Sequence, residues 1–218
     1  MCFSPEASFT ASAVLLAAGV ISVRESKFTA KLLFAVIPLL FAAQQFSEGI
    51  LWLALQHTKY ENWQRPATIF FLIFAQVVWP FWVPLSLFLM EKKQPAKNIL
   101  KGLTIMGGLL AIYLLYRVLT VPVIASIDCR HIYYSLVVPE QSVIPVDILY
   151  MVMTIISPFI STAKRTNLLG IIIVVSLAVS ELFYTKELIS VWCFFAAILS
   201  VIVIYVLRTM PKHAIKNY

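Results

Sequence analysis

Seven long apolar stretches constrain this chain more than any other feature of it. They fall at roughly 7–23, 32–55, 67–90, 99–121, 143–163, 168–185 and 188–207. A helix rises about 1.5 Å per residue, so about 17–25 apolar residues cross a hydrocarbon core of ~30 Å. Each stretch is therefore read as a membrane-spanning helix. Charged residues make up 12% of the sequence, about half the share of a soluble domain. The expected fold is all-α: one polytopic membrane domain over residues 1–218, a bundle of seven transmembrane helices. Ser4-Pro5-Glu6 reads as an N-cap, a proline at the first helical position and an acid in the first turn, so the first helix is expected to start near residue 5.

The net charge of +7 suggests nucleic acid only until the basic residues are placed. Arg24, Lys27, Lys31, Lys92, Lys93, Lys97, Lys101, Lys164, Arg165, Arg208, Lys212 and Lys216 fall on one side of the alternating spans. Those are 12 of the 17 lysines and arginines. Short basic loops stay cytoplasmic. The N-terminus is therefore expected outside and the C-terminus inside, which requires an odd number of spans. The excess charge is topogenic and faces anionic lipid; no nucleic-acid partner is expected.

Polar side chains inside hydrocarbon cost about 2.5–3.5 kcal/mol when charged, so their placement points to function or to a buried network. Gln44, Gln45, Glu48 and Trp52 lie in the outer half of the second span. Gln44, Glu48 and Trp52 are spaced four apart, on one helical face. Tyr113, Tyr116 and Arg117 end the fourth span; Asp147 and Tyr150 begin the fifth. Ser180, Glu181 and Tyr184 end the sixth, and Trp192 with Cys193 begins the seventh. The inner halves hold stretches with no ionisable group, such as LLFAVIPLLFAA and PFWVPLSLFLM. This asymmetry predicts a pocket open to the outside above an apolar plug, and it disfavours a transporter, which needs polar groups on both exits.

The longest loop, 122–142, contains Asp128, Cys129, Arg130, His131 and Tyr134 among β-branched and aromatic residues. It is expected to form a short hairpin or a re-entrant flap over the outer mouth. Trp52, Trp63 and Trp192 are expected in the outer aromatic belt, with Trp79 and Trp82 deeper, on the pocket floor. Pro38, Pro80, Pro84, Pro145 and Pro158 are expected to kink their spans. Gly19, Gly102, Gly107 and Gly108 are expected at close helix contacts.

Cys2, Cys129 and Cys193 all fall at or near the outer surface. A disulfide, a thiolate metal site completed by His131 and Glu48, a reactive thiol, and plain packing all remain open for them. No local metal-binding spacing, nucleophile elbow or phosphate loop is present.

Several blocks carry a family resemblance: Met1-Cys2-Phe3-Ser4 with Ala7-Ser8-Phe9, Gln44 through Gly49 with Trp52, and Trp79-Pro80 with Val83-Pro84-Leu85. His131-Ile132 with Tyr134, and Ser190 through Ala197, complete the set. From end to end the chain resembles a family of uncharacterised bacterial integral membrane proteins whose chains begin MCFSA; Pro5 stands here in place of that alanine. The resemblance implies a bacterial plasma-membrane protein and a signature of Cys2, Ser4, Gln45, Glu48, Trp52, Trp79, His131, Tyr134, Trp192 and Cys193. Cys129 is not in that signature, so the resemblance favours Cys2 and Cys193 as a pair. It supplies no reaction and no cofactor.

The expected function is binding of a small or lipid-like ligand in the outward pocket. Its predicted lining is Gln45, Glu48, Trp52, Trp79, Arg117, His131, Tyr134 and Trp192, with Cys2 and Cys193 as the clamp. The alternative is an outer-leaflet enzyme, metal- or thiol-dependent. There His131 is the acid or base, Glu48 its partner or a metal ligand, and Cys2 or Cys193 the nucleophile or ligand.

Overall fold

The structure is a computed structural model that describes residues 4–27, 29–128, 131–136, 143–183 and 195–210. Among these, helix dominates. The first helix, α1, is Pro5–Ser26; α2 is Leu32–Gln56, α3 is Thr58–Met90 and α4 is Gln94–Thr120. These four are long and apolar enough to cross a membrane. Three shorter apolar helices follow: α5 (Pro145–Ile160), α6 (Thr166–Leu182) and α7 (Ala197–Thr209). Each of the seven overlaps one of the predicted stretches.

Local chemistry sets the helix ends. Ser4 caps α1 as expected, its hydroxyl accepting from the Ala7 N–H at 3.2 Å. Lys27 ends α1 in the left-handed region, φ 50°. In α2 the helix breaks at Val36, two residues before Pro38, whose ring cannot donate to the preceding turn. The third helix differs from expectation. It begins at Thr58 rather than 67, through a 3₁₀ turn at Thr58–Trp63. It also contains a π-helical turn at Ile73–Val78, and α5 contains another at Val152–Ile156. The Tyr150 hydroxyl donates to the Ala75 carbonyl within the first of these turns, at 2.8 Å.

Small residues determine how closely the helices approach. The buried stripe of α1 is Ser8, Ala11, Leu15, Gly19, Ser22 and Ser26, and it lies against α2. There the Ser12 hydroxyl donates to the Ala42 carbonyl at 2.8 Å. Gly107 of α4 faces the Pro80 carbonyl of α3 so closely that a Cβ would collide with backbone. Gly19 is similarly tight against Leu39. Gly102 corrects the expectation: its Cβ direction meets open space, so it takes no part in a close contact.

Among the described residues two large apolar clusters result, with a small third one of Leu15 and Ala42. One gathers Phe34, Ile37, Trp79, Val83, Leu87 and Val203 among others. The second gathers Leu51, Trp52, Ala67, Phe71, Leu72 and Val118 with Ala125, Ile132 and Tyr134. The last three belong to a two-stranded antiparallel hairpin, β1 (Val123–Asp128) and β2 (His131–Leu136). Its register runs from Val123 opposite Leu136 to Asp128 opposite His131. The loop therefore contains a hairpin, and the described residues form helices and one small sheet.

Gly107→Ala is expected to destabilise the protein by about 1–3 kcal/mol, the usual cost of overpacking. Gly102→Ala is expected to be neutral or stabilising by up to about 1 kcal/mol, from helix propensity. Thermal unfolding of the two variants in detergent checks the contrast.

Candidate functional site

The polar residues of α2 sit between the two apolar clusters. Gln44, Gln45, Glu48 and Trp52 are each at most 2% exposed, and Phe46 between them is 52% exposed. The helix thus turns its amides and carboxylate inward and an aromatic outward, as a helix in lipid must. The Gln45 Nε2 group donates to Glu48 Oε2 at 3.1 Å. The Trp79 indole N–H, from α3, donates to Gln44 Oε1 at 3.2 Å. The Phe41 ring stacks on Trp79 at 4.1 Å, fixing that indole from its face. The Ser47 hydroxyl donates to the Gln44 carbonyl at 2.7 Å.

Two buried atoms in this layer lack a partner among the described residues: Gln45 Oε1, an acceptor, and Trp52 Nε1, a donor. Each costs about 1–3 kcal/mol when left unmet. They are seven residues apart, so they lie on one helical face about 10 Å apart along the axis, with Glu48 between them.

The hairpin packs on α3 and shares an apolar cluster with Trp52. Tyr134 stacks parallel on Phe71, 4.9 Å between centroids and 5° between planes. Gln64 Nε2 of α3 donates to the Ala125 carbonyl at 3.3 Å. Residues 132 and 134 face the helices, and His131, at the start of the strand, is also buried. Trp52 is therefore a core residue and not a belt residue. Trp63, 58% exposed, fits the belt.

The predicted site residues separate into groups. Gln45, Glu48 and Trp52 share one face of α2. Trp79 joins them through Gln44, and Tyr134 through the cluster around Trp52. Arg117 is held by its own helix: its guanidinium lies over the Tyr113 ring at 5.8 Å. Trp82, expected on the pocket floor, spends its N–H on the Leu33 carbonyl at 2.8 Å. Cys2, Cys129, Trp192 and Cys193 lie outside the described residues. Among the described residues no three His, Cys, Asp or Glu side chains cluster as a metal site.

A further buried acid, Glu91, lies between α3 and α4. It is 3% exposed and its carboxylate accepts five hydrogen bonds. They come from the Lys92 and Lys93 N–H groups (2.9 Å each), the Thr162 N–H (2.6 Å) and hydroxyl (2.7 Å), and the Ser161 hydroxyl (3.1 Å). Burial pushes its pKa up, but the bonds from Thr162, Lys93 and Ser161 together outweigh that and hold the carboxyl below its ordinary value. Nearby, burial and the charge of Lys92 lower the pKa of Lys31. An acid beside a run of lysines was the available signal; its partners Ser161 and Thr162 lie 70 and 71 residues away.

Helices of this length and apolarity, with buried polar side chains bonded to one another, define a helical membrane-protein architecture. The chain belongs to the family described as "Family of unknown function (DUF6629)", which matches residues 1–217. No curated protein and no solved structure matches it.

A carboxyl whose folded pKa is depressed stabilises the fold fully above its unfolded pKa, and loses that contribution as pH falls through the folded value. The melting temperature is therefore expected to hold steady near neutrality and to fall below about pH 4.3. Glu91→Gln is expected to cost about 2–3 kcal/mol at pH 7, on the scale of hydrogen bonds to a charged group, and to flatten the acid limb. Melting of both proteins between pH 3 and 8 (an approximate range set by the carboxylate pKa) checks this.

Proposed function

We propose that this chain is a multi-pass protein of the bacterial plasma membrane that binds a small or lipid-like ligand in a polar pocket on its outer side. In this reading it crosses the membrane seven times as one domain, N-terminus outside and C-terminus cytoplasmic. The four long helices, the three shorter ones and the one-sided distribution of basic residues support it. The hairpin end is then the outer end, and the loop containing Glu91 is cytoplasmic.

One observation carries the binding reading. Gln45 Oε1 and Trp52 Nε1 are a buried acceptor and a buried donor, both unmet among the described residues, on one face around Glu48. A ligand with its own polar groups relieves that cost by meeting them. Glu48 and His131 are its proposed anchors and Trp52 and Trp79 its walls, with Tyr134 in the cap and Arg117 and Trp192 at the margin. Cys2 and Cys193 are the proposed clamp at the mouth.

Organic extracts of the purified protein test this. Mass spectrometry is expected to find a compound on the wild type that is depleted roughly ten-fold by Trp52→Phe, which removes the indole donor and keeps a ring. Glu48→Gln is expected to deplete it as well. Identical extracts from all three proteins would sink the binding reading.

Topology has its own test. A C-terminal green fluorescent protein fusion is expected to fluoresce, and a C-terminal alkaline phosphatase fusion to be inactive. The opposite pair of results would reverse the orientation. Alkylation of the unreduced protein is expected to label one of its three cysteines, Cys129; labelling of all three would remove the clamp.

A further inference from the structure

Along one face of α3 lies a shallow, open depression of about 400 Å³ lined by Arg65, Pro66, Ile69, Phe70 and Ile73. Four of these are apolar, and the one cation stands at one end. Phe70, 48% exposed, is braced by Phe74 at 5.0 Å. On the inner side of the same segment, Ala67 and Phe71 are buried in the cluster that holds the hairpin, so the wall behind the depression is fixed. At the far end, Ile73 opens the π-helical turn, where the helix widens.

Its dimensions suit a lipid chain. From Arg65 to Ile73 the helix rises about 12 Å, close to the ~15 Å depth of one hydrocarbon leaflet. From Arg65 to Glu91 the rise is about 39 Å, close to the ~40–45 Å that includes both headgroup layers. Arg65 therefore stands at headgroup level when α3 crosses the membrane. Exposed Tyr60 and Trp63 lie just before it, as interfacial aromatics do. A guanidinium pairs with a phosphate through parallel N–H···O bonds.

We infer that this depression seats one acyl chain of a phospholipid whose phosphate is held by Arg65. This requires that α3 span the membrane; it is independent of the polar pocket at Glu48.

The test uses the full chain in nanodiscs containing equal amounts of phosphatidylglycerol and diacylglycerol with the same acyl chains, released into native mass spectrometry. The wild type is expected to retain one phosphatidylglycerol above the statistical background and to leave diacylglycerol behind. Arg65→Gln is expected to lower that retention roughly five-fold, corresponding to about 1 kcal/mol for one cation at a lipid surface. Ile69→Trp, which fills the depression, is expected to lower it similarly. Equal retention by wild type and both variants overturns the inference. So does diacylglycerol retained as well as phosphatidylglycerol, a comparison that needs only the wild-type protein.

Discussion

A polar group between apolar helices has only the protein to bond to, and most of this architecture follows from that constraint. Serine and threonine hydroxyls return to carbonyls of their own helix, as Ser86 does to Val83, Thr104 to Leu100 and Ser157 to Met153. More informative are the bonds that leave the helix. Ser12 reaches Ala42, Trp82 reaches Leu33, Trp79 reaches Gln44 and Tyr150 reaches Ala75. Each fixes one element against another at a place where apolar packing alone is non-directional. Such bonds in membranes are worth about 0.6–2 kcal/mol each, but they also set register.

The same constraint gives the Gln44–Trp52 segment its character. Apolar clusters lie on either side of it, and within the layer Gln45 donates to Glu48 and Trp79 donates to Gln44. Glu91 is the counterpart at the opposite end of the bundle, where one carboxylate organises two loops by taking up their N–H and hydroxyl groups. The Glu25–Arg208 pair, 3.0 Å apart, links the ends of α1 and α7 there. It is exposed to solvent and contributes little beside the buried carboxylate.

Much of this was legible in the sequence for one reason: a run of about 20 apolar residues has few uses other than a spanning helix. The cap at Ser4, the hairpin at Val123–Leu136 and the burial of Gln45 and Glu48 were readable from residue type and spacing. Other features left no local mark. The start of α3 at Thr58 was hidden because Lys59, Glu61 and Arg65 look like loop. Gly102 and Gly107 are the same residue five positions apart, and only packing shows that one is crowded and the other is not. Arg117 was grouped with Glu48 by depth alone, whereas its guanidinium lies over the Tyr113 ring one turn earlier on α4. Glu91 looked like a lapse in a basic loop because its hydroxyl partners come from the far end of α5.

The π-helical turn at Ile73–Val78 has a consequence for how the chain tolerates change in length. A π turn accommodates one residue more than an α-helical turn, so it offsets the two halves of α3 by about 100° of rotation. Arg65, Phe70 and Phe71 are set on one phase of the helix, and Trp79, Val83 and Leu87 on another. Removing a single residue between 73 and 78 would restore an unbroken α-helix and leave every remaining side chain chemically intact. It would nonetheless swing the Trp79 indole away from Gln44, or the Phe71 ring away from Tyr134, because both can no longer face inward together. In this helix residue number is a structural quantity: the odd residue acts as the gear tooth that keeps the two halves of the bundle meshed.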